Sequence, residues 1–333
     1  MTTPRDAGFF MPAEWAPHTR CWMAWPCHSE WWPDMAEARR AYAAVARAIA
    51  RFEPVVMLAR PDHAAEARRV LGDAATVIEA PLSDSWTRDT GPSFLIDGKG
   101  GLAGVDWGFN AWGMNYTDFA DDAALARRIL AQAGARRFIG PMIFEGGSIS
   151  VDGQGTAITT EQCLLNPNRN PHLTRADIEG VLRDFLGIDR LIWLKDGLEN
   201  DETDGHVDEV ASFVAPDRVL ILESTNPADP NTATLAENRA ILEAAGLEVL
   251  TVPQPTTRRD GPHGRITTSY ANFYIANGGV IVPAYDDPMD REAEAVFRAA
   301  FPEHQVVMVP SLGVAAGGGN IHCITQQEPK ARP

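Results

Sequence analysis

Apolar residues recur every three or four positions between 34 and 51, at Met35, Ala38, Tyr42, Val45 and Ile49. That spacing predicts a helix with one buried face. Stretches 62–71, 121–133, 174–186, 232–245 and 290–300 carry the same periodicity. Several follow an Asp or Thr able to cap a helix start, and Gly134 and Gly246 stand where a helix would stop. Between them lie short β-branched runs at 55–58, 191–194, 219–222, 249–252, 280–282 and 306–309. These predict buried strands. The alternation predicts an α/β fold and leaves the order of strands open. Gly98–Gly101 is expected to be a hairpin turn, 253–264 an exposed loop, and the tail beyond 328 frayed. No linker or sequence repeat divides the chain, so 1–333 is expected to form one domain.

Composition narrows the partners. Of 333 residues, 45% are hydrophobic and 22% charged, which is enough apolar content for a packed core. The net charge of −16 argues against nucleic acid and anionic membrane as partners and favours a cation. The same charge also serves plain solubility. Cys21, Cys27, Cys163 and Cys323 are sparse and contain no Cys-x-x-Cys pair. Free thiols in a reducing compartment are expected. With no basic-then-apolar leader and no apolar run of membrane length, the expected location is the cytoplasm.

Four polar stretches exceed what an α/β core requires: 83–92, 144–148, 201–208 and 317–323. In the last, three glycines precede Cys323. A thiol there is a nucleophile only if a nearby cation or dipole ionises it; otherwise it is an inert buried residue. His322 is adjacent, and on a strand it would point to the opposite face, a poor position for a base serving Cys323. In 201–208, His206 and Asp208 are two apart, so an extended segment would present them side by side. Three readings stay open: a proton-shuttling imidazole beside a cation-binding carboxylate, a solvated acidic turn, or a metal site. Trp86 with Asp89 offers an aromatic face and a carboxylate, the pair that suits a planar guanidinium. The competing reading is a surface pair such as Arg88–Asp84. Glu145, beside Gly146 and Gly147 after an apolar run, fits a ligand pocket or a tight turn. Phosphate-binding glycine loops and the Gly-x-Ser-x-Gly elbow are absent.

Taken in order, Met11–Trp15, Trp22–Pro26, Ser85–Pro92, Val105–Gly113, Glu145–Ser148, Cys163–Pro171, Asp201–Asp208, Tyr270–Gly279 and Gly317–Gln327 resemble the agmatine deiminase family. That family is related to bacterial peptidylarginine deiminases within the guanidine-modifying superfamily. The resemblance implies a pentein-type five-bladed α/β propeller of ββαβ-type units with pseudo-fivefold symmetry, a single catalytic domain spanning 1–333. It implies Cys323 as nucleophile, His206 as proton carrier, and Asp89 and Asp208 as holders of the guanidinium. Trp86, Glu202 and Glu145 are expected to bind substrate. No metal or organic cofactor is implied; the partner is a small cationic guanidino compound, and the assembly a homo-oligomer. Agmatine is the expected substrate, giving N-carbamoylputrescine and ammonia. Arginine, peptidyl-arginine or another guanidine is the alternative. Outside this class stand a metal-dependent hydrolase built on 201–208 and a non-catalytic binding protein whose surface uses the tryptophans at 15, 22, 25, 31 and 32. Segments 26–31, 114–118, 230–268 and 311–316 depart from the family pattern and could shape the mouth of the site.

Overall fold

The computed structural model describes residues 2–28, 32–261 and 264–331. Trp31 therefore lies outside the described residues, as do positions 262 and 263 of the expected 253–264 loop.

The helices stand where periodicity places them. Met35–Ile49 starts at Asp34, whose side chain accepts from the Glu37 N–H, and Arg175–Leu186 starts at Thr174 in a capping box with Asp177. Leu125–Ala133 ends on left-handed Gly134. Ala64–Leu71, Asn231–Ala244 and Asp290–Ala300 complete the set.

The strands in chain order are β1 His18–Ala24, β2 Val55–Ala59, β3 Thr76–Glu79, β4 Ser93–Ile96, β5 Leu102–Gly108, β6 Arg136–Ile143, β7 Ser150–Val151, β8 Thr156–Thr160, β9 Arg190–Leu194, β10 Ala211–Ala215, β11 Arg218–Glu223, β12 Glu248–Pro253, β13 Asp260–Gly261, β14 Gly264–Arg265, β15 Tyr274–Ala276, β16 Gly279–Ala284, β17 Gln305–Pro310 and β18 Gln326–Pro329. Apart from the small β13–β14 hairpin, which lies partly in the expected 253–264 loop, they form five blades of one design. A first strand pairs antiparallel with a second, and a helix then carries the chain to a third strand parallel to the second. The blades are β4-β5-β6, β7-β8-β9, β10-β11-β12 and β15-β16-β17. The fifth is made from both ends of the chain: β18 pairs antiparallel with β1, β1 runs parallel to β2, and β3 extends the edge. This is the five-bladed pentein-type α/β propeller. Gly98–Gly101 is the β4–β5 hairpin, as expected.

The central strand of a blade is buried on both faces, as Val219–Leu222 shows. The third strands differ from expectation: 249–251 and Val307–Met308 are only half-buried, because a blade's last strand has no neighbour on its outer side. Trp22, Trp25 and Trp32 are core residues. Among the described residues no helix is long and apolar enough to cross a membrane.

Candidate active site

Every blade is entered through a tight turn just ahead of its first strand, and the candidate residues sit on those turns. Asp89 lies on the single helical turn Thr87–Thr90 before β4, Glu145 and Gly147 precede β7, and His206, Asp208 and Glu209 precede β10. Asn272 precedes β15 and Cys323 precedes β18. Contacts between each pair of neighbouring blades join these turns in a ring. The Gly147 N–H donates to Asp89 Oδ1 at 2.9 Å, and His206 Nε2 lies 3.4 Å from Glu145 Oε2. Ser269 Oγ donates to the Glu209 carbonyl at 2.7 Å, and Asn272 Nδ2 donates to Cys323 Sγ at 3.1 Å. The Arg88 N–H donates to the Cys323 carbonyl at 3.1 Å. The repeat of the fold thus gathers residues from all parts of the chain.

A cavity opens onto this ring, with Cys323, Asp89, Trp86, Trp112, Glu202 and the glycines at 317–319 in its wall. Asp84 makes a third carboxylate, and no Lys or Arg is among the described lining residues. Trp86 is stacked on Trp32, ring centres 5.3 Å apart, and donates through Nε1 to Asp84 Oδ2 at 2.8 Å. Asn115 and Tyr116, in one of the segments that depart from the family pattern, also line the cavity. The three glycines have separate reasons. A side chain at 317 would collide with the Trp32 ring; Gly318 has φ +100°; and a Cβ at 319 would lie 2.6 Å from Trp86 and 3.2 Å from Cys323 Sγ.

His206, Asp208 and Glu145 lie fully buried, off the cavity wall. His206 and Asp208 do face a common point, though not through an extended segment. The chain tightens into the 3-10 turn Val207–Glu209. A Cβ on Gly147 would stand 2.5 Å from His206 Nδ1 and 3.0 Å from both Asp208 Oδ2 and Asp89 Oδ1. Glu145 backs His206 and is itself held by Arg169 Nε at 2.9 Å.

The last turn also departs from expectation. Residues 321–324 form a turn rather than a strand, so His322 is not thrown to the opposite side. His322 Nδ1 is 2.8 Å from Asp208 Oδ2, whose distance to Cys323 Sγ is 3.7 Å. His322 Nε2 is 2.9 Å from Glu14 Oε1. Arg88 is buried and pairs with Glu14 at 3.3 Å and with Gln327 at 2.9 Å, so the competing reading of a surface Arg88–Asp84 pair does not hold. For the metal reading of 201–208, two of the candidate ligands are already engaged, while His206 lies in a buried group with Glu145 and Cys163 whose ligand atoms are within 4.8 Å of one another. Asp201 accepts from Thr203, Gly205 and His206 of its own loop, and Asp204 pairs with Arg169 at 2.6 Å.

Within this cluster, His206 Nδ1 and Asp208 Oδ1 are buried with no hydrogen-bond partner among the described residues. Buried polar atoms are ordinarily paired, so both mark places where a ligand's donors and acceptors fit. Burial, with Asp208, Glu209 and Asp89 nearby, pushes the Cys323 thiol well above its usual range. Burial likewise raises Asp89 to about 6, with Asp208 and Glu145 adding to the shift against the opposing pull of His206. For His206 burial works downward, but Asp89 and hydrogen bonds to Cys163 and Glu145 outweigh it and hold the imidazole well above its usual value. The charged side chains among the described residues of the cavity wall are all carboxylates, Asp84, Asp89 and Glu202.

Asn272, Glu209, Trp112 and the pairing of His322 escaped the sequence reading. Asn272 had a usable signal: like Asp89, His206 and Cys323, it sits a few residues ahead of a short strand.

A thiol, an imidazole and convergent carboxylates on a five-bladed ββαβ ring define the guanidine-modifying class of pentein proteins. The sequence pattern described as Porphyromonas-type peptidyl-arginine deiminase matches residues 10–329, and the chain belongs to that family. It is 48% identical over 358 residues to the agmatine deiminase of Stutzerimonas stutzeri, covering 98% of this chain and 97% of that one. The structure of the Enterococcus faecalis agmatine deiminase superimposes with a TM-score of 0.96 at 36% identity, covering 99% of this chain and 98% of that one. The dimethylarginine dimethylaminohydrolase of Pseudomonas aeruginosa shares the fold alone, with a TM-score of 0.54 at 14% identity, covering 93% and 99%.

Proposed function

We propose that this chain is a cysteine hydrolase that converts agmatine and water to N-carbamoylputrescine and ammonia. The observation that carries the reading is the position of Cys323 on the wall of a cavity whose charged lining consists of carboxylates. A guanidinium needs paired acceptors and an apolar face, and Asp89, Asp208 and Trp86 supply them. The absence of Lys or Arg from the described lining favours agmatine, with its distal ammonium, over arginine, whose carboxylate would call for a cation.

The steps follow from charge. Burial and the neighbouring carboxylates keep the Cys323 thiol protonated before substrate binds; a bound guanidinium offsets the carboxylates and favours the thiolate, whose proton leaves to solvent. The thiolate attacks the guanidinium carbon. His206 gives a proton to the departing amine, and ammonia leaves an amidino group on Sγ. Neutral His206 then takes a proton from water, which adds to the same carbon. The C–S bond breaks, the ureido product leaves, and the thiol is restored. These steps call on no metal or organic cofactor. In this reading residues 1–333 act as one catalytic domain in the cytoplasm, as a homo-oligomer, on a small cationic substrate and without nucleic acid or membrane.

Ammonia release from the purified chain tests this with agmatine, arginine and an arginyl peptide in parallel, and with Cys323→Ala as control. Turnover of agmatine that disappears in the variant is the expected result. Turnover that survives Cys323→Ala, or preference for arginine, would overturn the nucleophile or the substrate respectively.

A further inference from the structure

The backbone between Asn110 and Asn115 turns the wrong way. Ala111, Trp112, Gly113 and Met114 have φ of 53°, 52°, 89° and 73°, and three of the four carry a side chain. The Met114 N–H donates to the Asn110 carbonyl at 2.8 Å and the Asn115 N–H to the Ala111 carbonyl at 2.9 Å, making one turn of left-handed helix. Such a run persists only where the surroundings over-determine it. Here they do. Asn110 accepts from the Gly113 N–H at 3.0 Å and donates to the Asn168 carbonyl at 2.8 Å, while a side chain on Gly113 would collide with Asn168. Asn115 Nδ2 donates to the Glu202 carbonyl at 3.0 Å. The turn is therefore clamped to segments 166–170 and 201–206, the second of which leads to His206.

What this strain achieves is the aim of one side chain. Trp112 enters the cavity wall and its Nε1 donates to Asp89 Oδ2 at 2.9 Å. A right-handed turn at this point would direct the indole elsewhere. The other oxygen of Asp89 accepts from the Gly147 N–H. Both oxygens are thus held by N–H donors on different blades, which fixes the plane of the carboxylate at the cavity. The geometry points to Trp112 as a positioning residue for the deimination reaction, acting through Asp89, with the left-handed turn Ala111–Met114 as the device that holds it. This rests on the guanidine reading of the site above.

The charged groups facing Asp89 are His206, whose Nδ1 is 3.8 Å from Oδ1, and the carboxylates of Asp208 and Glu145. Against two like charges and burial, a donated N–H stabilises the ionised form of Asp89. Trp112→Phe keeps an aromatic ring and deletes the donor. Trp112→His restores a donor, since imidazole Nε2 can take the place of indole Nε1.

The test measures the Asp89 titration midpoint by carboxyl ¹³C NMR in the substrate-free full chain, and kcat/KM for agmatine against pH, in wild type and both variants. In Trp112→Phe the midpoint is expected to rise by about half a unit or more. kcat/KM is expected to fall about 10-fold or more, with the loss deepening below pH 6. Trp112→His is expected to move the midpoint back towards wild type. An Asp89 midpoint unmoved in Trp112→Phe would overturn the proposal even if activity fell, because a mere wall residue would act that way. A raised midpoint in a protein that turns over no guanidine would leave the Trp112–Asp89 pairing standing and remove the proposed function instead. Should Trp112→Phe fail to fold, the midpoint in Trp112→His decides: a value far above that of wild type would overturn the proposal.

Discussion

Two buried histidines stand at the site, each against its own pair of carboxylates, and they differ in one respect. Each lies between two acidic side chains: His322 between Asp208 at 2.8 Å and Glu14 at 2.9 Å, His206 near Glu145 at 3.4 Å and Asp89 at 3.8 Å. Both have pKa values above the usual range against the pull of burial. Yet His322 has both ring nitrogens committed, whereas His206 Nδ1 has no hydrogen-bond partner within the described protein. A ring with both protons locked in ion pairs orients its neighbours, and a ring with one free nitrogen can move a proton. Burial and charge do not separate the two roles; hydrogen-bond saturation does.

The comparison presupposes that Cys323 is the nucleophile both histidines surround. Cys323→Ala is expected to lower deimination by about 10⁴-fold or more, measured as ammonia release. Next, His206→Asn should cut kcat by about 100- to 10,000-fold with a near-native melting curve. His322→Asn should do the reverse, removing about 3–5 kcal/mol of folding stability in chemical denaturation, because Asp208 and Glu14 are left without their shared cation. If His322→Asn kept its stability and lost catalysis, the division of labour would be wrong.

Gly147→Ala sharpens the point without replacing a titrating group. Its Cβ would press on His206 Nδ1 at 2.5 Å and on Asp208 Oδ2 and Asp89 Oδ1 at 3.0 Å. A displacement near 1 Å there is expected to lower kcat by about 100-fold. The effect would be absent if neither the free nitrogen nor these two carboxylates took part.

The smaller effects are in pH. Asp89 must be ionised to hold a guanidinium, and its carboxyl sits at about 6. kcat/KM should therefore fall roughly tenfold per unit as pH drops below that value. An acidic limb near pH 4 would show that Asp89 is not the group titrating. On the His322 side, burial works against Glu14, but His322 and Arg88 hold it down from 4.5 to about 2. Its contribution to stability is present above pH 4.5 and lost as pH falls from there towards 2. Glu14→Gln should flatten that part of the stability–pH curve and leave the Asp89 limb in place.

The elements themselves were legible. Met35–Ile49, Arg175–Leu186 and the β4–β5 hairpin at Gly98–Gly101 lie where spacing, capping and glycine placed them. These depend on neighbours within a few positions, which a sequence displays directly. Cys323, Asp89, His206 and Asp208 were also nameable, because polar clusters with glycines are conspicuous beside apolar strands. The half-burial of β12 and β17 was not legible, since a valine run looks the same in the middle of a blade and at its edge. Nor was Trp112: nothing in Asn110–Asn115 announces a left-handed turn with three non-glycine residues. The partners of His322 and Asn272 come from other blades, and adjacency in the chain misdirected the reading of His322. Sequence alone determined the helices, the strands and the kinds of groups available for chemistry, because these follow from local periodicity and residue type. Only the tertiary structure decided which of those groups meet and which nitrogen is left free, because both depend on five entry turns converging on one axis.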